Sequence, residues 1–290
     1  MFYQSIRIQI AIITKLINNT KFKIDKGDHL LDTHTHILWN IDDGSKNQCM
    51  SLQMLEIAAR SGTKAIFATP HVIERANKPS WEEIKEKTQQ LRQLCAEAQI
   101  DIMLYPGAEV QMNWELLPEL GATGAYCLNG GRYLLIELPA AEIPAYADEF
   151  WYELELKGIM PILAHPERYQ QLRENPDLLL LWRRRGMLMQ CNSGSFTGMF
   201  GSSVCENAKV LLANGLVDLL GSDGHRSEGR NTDMSRAAAV IRQLAGEEVL
   251  RQMTETNPQA ILKNQEIELK QPKVLLEDKP KSFWQKLFGK

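Results

Sequence analysis

The chain has 290 residues, 44% of them apolar and 24% charged, with a net charge of −3. That is the composition of a globular protein with chain enough for one large domain or two small ones, and it offers no whole-chain case for nucleic-acid binding. Five scattered cysteines (Cys49, Cys95, Cys127, Cys191, Cys205) include no C-x-x-C pair, which speaks for reduced thiols in the cytoplasm rather than a disulfide frame or zinc ribbon.

Residues 1–28 form an extension rich in isoleucine (Ile6, Ile8, Ile10, Ile12, Ile13) and interrupted by Arg7 and Lys15. With no small-residue cleavage site after it, it does not read as a signal peptide. It is a candidate contact surface for an oligomer. No apolar run approaches the roughly 20 residues that span a bilayer.

From there, strand-length apolar runs alternate with helical segments. The runs cover 29–36, 65–72, 101–110, 132–138, 159–165, 187–192 and 217–223. Most are nearly continuous in apolar character, as expected of parallel strands covered on both faces. Ser80 with Glu83 makes a capping box ahead of a long polar helix. Asn175-Pro176 places a cap and a first-turn proline before a helix over 178–185, which Gly186 stops. Gly62, Gly158 and Gly215 stand where a left-handed residue closes a helix before the next strand. Seven β-then-α units predict an α/β fold.

The chemistry clusters at the ends of these strands. Of six histidines, His34 and His36 close the first run, His71 the second and His165 the fifth, and His225 follows the seventh. Glu109, Glu137 and Asp223 occupy comparable places, and Asp42 and Asp43 come just after the first run. In a parallel barrel all strand C-termini open on one face, whereas an open sheet spreads them along a line. A ring therefore better accounts for their shared chemistry, and imidazole with carboxylate suits borderline divalent cations. Each residue alone has a plainer reading. H-x-H recurs on any strand because alternate residues share a face; His165 could be a satisfied core residue, and Glu137 a solvated edge residue. Jointly, five of six histidines at strand ends, with acids that are costly to bury unpaired, favour metal. His29 reads as solvated. Asp32, two residues before the H-x-H, is expected to orient a ligand imidazole rather than bind metal.

These residues resemble the PHP (polymerase and histidinol phosphatase) proteins, and within them the tyrosine-protein phosphatases of bacterial capsule and exopolysaccharide loci. The motifs are Asp32-Thr33-His34-Thr35-His36, Asp42-Asp43-Gly44, Thr69-Pro70-His71, Gly107-Ala108-Glu109, Ile136-Glu137, Ala164-His165-Pro166-Glu167-Arg168 and Ser222-Asp223-Gly224-His225. The resemblance implies a distorted (β/α)7 TIM-like barrel over residues 29–265 and three divalent metal ions, manganese first among manganese, iron, zinc, cobalt and magnesium. It implies that His34, His36, Glu109 and Asp223 hold one ion, Glu109 with Glu137 and His165 a second, and Asp43, His71 and His225 the third. Arg168 and Arg230 would bind phosphate, with Arg226 a possible substitute for the latter; Asp32 and Asp42 would support the ligands. The implied activity is hydrolysis of phosphotyrosine on a protein, such as a membrane-anchored bacterial tyrosine autokinase. The rivals are a small-molecule PHP phosphatase for a substrate such as histidinol phosphate, a nuclease, and a catalytically silent binding module. No basic stripe supports the nuclease. A cysteine-dependent phosphatase loop needs five residues between its Cys and its Arg, and only four stand between Cys127 and Arg132.

Residues 266–290 form a tail. Within 281–290 there is no acid, and on a helix Phe283, Trp284, Leu287 and Phe288 share a face among lysines. This suits a peripheral contact with the inner membrane face or a partner; a short tail packed on its own barrel is the plainer alternative.

Overall fold

The computed structural model describes residues 29–121, 124–270 and 272. The isoleucine-rich extension and the aromatic, lysine-rich tail lie outside the described residues.

The described residues form nine strands interspersed with helices: β1 (Leu30–Thr35), β2 (Thr63–Ala68), β3 (His71–Val72), β4 (Met103–Pro106), β5 (Glu109–Gln111), β6 (Tyr133–Glu137), β7 (Met160–Ala164), β8 (Leu188–Asn192) and β9 (Leu219–Gly221). All pair in parallel, in one sheet ordered β1-β2-β4 and another ordered β3-β5-β6-β7-β8-β9. This is a mixed α/β fold curved into a half-barrel.

Two predicted strands are each broken into two. The first breaks at Thr69-Pro70, where proline has no N–H to give the ladder. The second breaks at Gly107-Ala108, where a Cβ on residue 107 would meet Leu128 Cδ2 at 2.6 Å. Pairing resumes beyond both breaks, because Gly107 N–H donates to Ala68 O (2.9 Å) and Glu109 N–H to Pro70 O (3.0 Å). The two sheets also meet at β1, where Asp223 N–H donates to His34 O (2.7 Å) and His36 N–H to Gly224 O (2.9 Å).

The helices that bear on the site are α1 (Gln48–Arg60), α2 (Trp81–Glu97), α3 (Ala147–Leu156), α4 (Gln170–Glu174), α5 (Asp177–Arg184), α6 (Ser193–Phe196) and α7 (Ser202–Ala213). Ser80 accepts from Glu83 N–H as the capping box requires. The cap expected from Asn175 does not form. Helix α5 begins at Asp177 with Pro176 in the cap position and no side-chain bond there, since Asn175 is already the C-cap of α4. Gly62, Gly158, Gly186 and Gly215 all take positive φ, from 71° to 91°.

Alternate residues of the same strands fill two cores. Leu134, Ile136, Leu163, Met189 and Leu220 pack in the larger core with Leu55, Leu91 and Phe150 of the helices. Tyr133, Leu135, Ile162, Leu188 and Leu219 point the other way and pack with Phe67 and Ile261. Full burial of each such side chain stabilises the fold by about 1.5–3 kcal/mol. Ile267 and Leu269 pack against this inner cluster, and Tyr133, at the start of β6, donates to Gln265 O. The chain beyond the last helix thus lies against the beginnings of the strands and leaves their C-terminal ends open. Among the described residues no helix is long and apolar enough to cross a membrane.

Candidate metal centre

The first strand delivers two imidazoles to one spot. His34 and His36 are buried, with their Nε2 atoms 3.1 Å apart. Their other nitrogens are held from opposite sides: His34 Nδ1 by Gln190 Oε1 (2.9 Å) and His36 Nδ1 by Asp42 Oδ2 (2.7 Å). Gln190 Nε2 donates to Cys191 O and Asn192 Oδ1, so its Oε1 faces the ring and Nδ1 of His34 carries a hydrogen. A carboxylate imposes the same tautomer on His36. Both Nε2 lone pairs therefore face one another and two acids.

Asp32 does not act as expected. Its Oδ1 accepts backbone N–H groups of His34 (3.2 Å) and Ser222 (2.8 Å), tying β1 to the segment after β9, and it holds no imidazole. Burial pushes its carboxyl up to about 6, with the Ser222 bonds opposing. Asp42 is the residue that orients a ring, and it also accepts from Gly44 N–H (2.9 Å) and His71 N–H (3.0 Å). The glycine of this motif is sterically required, for a Cβ on residue 44 would lie 2.2 Å from His36 O.

Around the two imidazoles the predicted set converges. Glu109 Oε2 lies 3.1 Å from His34 Nε2 and 3.2 Å from His36 Nε2, and Asp223 Oδ1 lies 3.5 and 3.4 Å from the same atoms. Glu109 Oε1 meets His165 Nε2 at 2.8 Å. His71 Nδ1 stands 3.1 Å from Glu109 Oε2 and 3.4 Å from Glu137 Oε1. On the outer side, Asp43 Oδ1 is 3.4 Å from His225 Nε2 and 3.8 Å from His71 Nε2. Three groups could each hold an ion: His34, His36 and Asp223; His71, Glu109 and Glu137; His36, Asp43, His71 and His225. Asp223 of these groups, and His165 against Glu109, take left-handed backbone at φ 53° and 37°. Non-glycine residues rarely adopt that conformation, and it recurs at functional sites.

The electrostatics follow from this crowding. Burial pushes the His34 imidazole down, but Glu109 and Asp223 beside it outweigh burial and raise it; His36 ends well above its usual range through Asp42 and its neighbours. Burial alone would raise Glu109 and Asp223, yet the imidazoles hold both well below the carboxylate range. The donor set fits divalent cations. Asp223 Oδ1, His71 Nδ1 and His165 Nδ1 are buried without a hydrogen-bond partner, and lone pairs from imidazole and carboxylate meet where only protons or cations can separate them.

The two arginines line the same opening, a cavity of about 600 Å³ walled also by Leu138–Ala141, Tyr169 and Arg173. Arg168 Nη1 lies 3.3 Å from Asp223 Oδ2, and Arg230 donates to that same oxygen. Arg168 makes no pair with Glu167, whose Oε1 accepts from Asn192 N–H and Ser195 Oγ. Arg226 is exposed, and Arg230 stands in the opening instead.

Four residues of the site escape a reading of the sequence. Gln190 orients His34, Asn192 donates to Asp223 Oδ2 (2.5 Å), the Tyr169 hydroxyl pins Leu138 at the cavity wall, and Phe200 underlies both arginines. The first two carry a signal: polar residues at alternate positions near the end of an otherwise apolar strand share its inner face.

The sequence matches the family described as capsular polysaccharide synthesis, CpsB/CapC, over residues 30–263. The tyrosine-protein phosphatase YwqE of Bacillus subtilis (strain 168) is 34% identical over 238 residues, 82% of this chain and 93% of that protein. The tyrosine-protein phosphatase CpsB of Streptococcus pneumoniae is 28% identical over 241 residues, 81% of this chain and 99% of that one. A solved structure from work on YwqE and CpsB, named there unique metal-dependent tyrosine phosphatases, superposes with a TM-score of 0.78 at 33% identity, covering 84% of this chain and 98% of that chain. Histidinol phosphate phosphatase of Lactococcus lactis, at 16% identity and a TM-score of 0.50 over 75% of this chain and 94% of that chain, shares the fold. Both the extent of the match and the identity to these relatives show that the chain belongs to the CpsB/CapC family of capsular polysaccharide synthesis.

Proposed function

We propose that this protein is a metal-dependent protein-tyrosine phosphatase whose substrate is a bacterial tyrosine autokinase controlling capsule or exopolysaccharide synthesis. The observation that carries this reading is the meeting of two His/carboxylate groups, backed by the buried third of His34, His36 and Asp223, with Arg168 and Arg230 at one open cavity. The names of the relatives supply the substrate class. On this reading residues 29–265 are one domain, a distorted seven-unit barrel in which β2 with β3 and β4 with β5 each count as one bent strand. The chain works in the cytoplasm, with its tail at the inner membrane face.

Three divalent ions, manganese first, would be held by His34, His36, Glu109 and Asp223; by Glu109, Glu137 and His165; and by Asp43, His71 and His225. When bound, such ions stabilise the charge that develops on a transferring phosphoryl group. The protein's own part is orientation and charge. Asp42 and Gln190 fix the tautomers that leave Nε2 of His36 and His34 free to ligate. Arg168 and Arg230 offer planar forks matched to phosphoryl oxygens. The wall of Leu138, Pro139, Ala140 and Tyr169 gives a tyrosine ring an apolar surface. Cys127 and Cys191 are poorly placed to act as nucleophiles, since burial pushes Cys127 up to about 12 and holds Cys191 well above the thiol range.

The test is phosphate release from a phosphotyrosine peptide, from histidinol phosphate and from a nucleic-acid substrate, with manganese and then with chelator. Selective, chelator-sensitive release from the peptide is expected. Preference for histidinol phosphate would install the small-molecule rival. Silence toward all three, in protein shown to contain metal, would favour a binding module.

A further inference from the structure

Arg168 and Arg230 come from different loops, one after β7 and one after β9, yet they share a support. Their guanidinium carbons lie 4.7 and 5.5 Å from the centroid of the Phe200 ring, which reaches them from a third loop, after α6. Both arginines also donate to Oδ2 of Asp223, but that bond competes with their use. The same oxygen already accepts from Asn192, and a guanidinium that turns its N–H groups toward a phosphoryl group gives up its bond to Asp223. The ring acts differently. It lies against the guanidinium carbons, and a cation–π contact takes up none of the N–H groups that point away from the ring.

The ring is itself held in place. A Cβ on residue 194 would meet Met199 Sδ at 2.9 Å and Phe200 Cε2 at 3.1 Å, so the absence of a side chain at Gly194 makes room for Phe200. An arginine that samples many rotamers loses that freedom when it clamps an anion, and a neighbour that restricts it beforehand strengthens binding.

We infer that Phe200 is a positioning residue that holds Arg168 and Arg230 side by side at the cavity so that both meet one phosphoryl group. This rests on the phosphatase reading for the use made of the arginines.

The experiment compares manganese-loaded wild type with Phe200→Leu, Phe200→Tyr and Gly194→Ala. It reads KM and kcat on a phosphotyrosine peptide, affinity for inorganic phosphate by calorimetry, metal content and melting temperature. Phe200→Leu keeps apolar bulk and removes the π face. KM and the phosphate dissociation constant are expected to rise about tenfold, the combined effect of removing two exposed cation–π interactions. kcat should change far less and metal content should hold. Phe200→Tyr should restore both constants, and Gly194→Ala, which displaces the ring, should shift them in the direction of Phe200→Leu. Unchanged phosphate affinity in Phe200→Leu would overturn the inference. So would a loss of metal or of melting temperature that Phe200→Tyr does not repair, since the ring would then be packing alone. Wild type that binds phosphate but releases none from the peptide would count against the phosphatase reading, while the phosphate-affinity comparison would still decide the role of Phe200.

Discussion

Two buried charged clusters sit at opposite ends of the strands, and they are built differently. At the beginning of β9, Arg183 grips Asp218 with both terminal nitrogens (2.5 and 2.7 Å), and Asp218 also accepts from Met189 N–H (2.8 Å). Charge there is balanced one to one inside the protein. At the other end, His34, His36, Glu109 and Asp223 crowd their acceptor atoms together, and Asp223 Oδ1 has no donor. The first cluster balances its charge and, Arg183 Nε apart, satisfies its hydrogen bonds, and it serves the fold. The second is left open for cations from outside. Buried charge is evidence of function when the protein's own groups leave it unbalanced.

Substitutions can break this contrast. Asp223→Ala or His36→Ala should reduce phosphate release to the level of chelated wild type while the fold is retained. Near-normal rates from either purified variant would remove the metal mechanism. Asp218→Ala should do the reverse. Leaving Arg183 buried and unpaired costs about 3–5 kcal/mol, or about 10 °C in melting temperature for a domain of this size, with turnover per folded molecule retained. Equal losses of activity from the two substitutions would show that the ends are not separable.

A smaller effect sharpens the comparison at the orienting residues. Gln190→Ala frees His34 to adopt the other tautomer, so affinity for manganese should fall about 10–100-fold, measured by titrating metal into chelated protein. An unchanged titration would mean that β1 alone fixes the ring. The smallest effect is on pH. In metal-free protein His34 and His36 sit above the ordinary 6.5. A raised folded value means their protonation stabilises the fold fully below about 6.5 and that this contribution is lost as pH climbs through the raised values. Melting temperature of the chelated protein should therefore decline on the alkaline side, and manganese, replacing the protons, should remove the decline. A chelated protein that grows more stable over the same range would contradict the assigned charge states.

Much of the site is legible in the sequence because strand ends carry a linear signature. Nearly continuous apolar runs end in His36, His71, Glu109, His165 and Asp223, and a parallel fold brings such ends to one rim. The breaks at Pro70 and Gly107 are harder to see, since pairing resumes after them and the apolar run continues. Asp32 departs from its expected role because its spacing from the H-x-H fixes its face but not its partner; two backbone N–H groups reach it before any imidazole. Gln190 and Asn192 hide in a strand that is otherwise apolar. Phe200 is invisible for another reason: its partners lie about 30 residues away on either side, and an aromatic in a loop next to Gly201 gives no local hint of two arginines.

The most direct test of the central claim is reconstitution. Protein stripped by chelator is titrated with manganese, and bound metal and release of phosphate from a phosphotyrosine peptide are followed in the same sample. Release should be absent from the stripped protein and return in step with bound metal. Release that persists in protein shown to be free of metal would contradict the account.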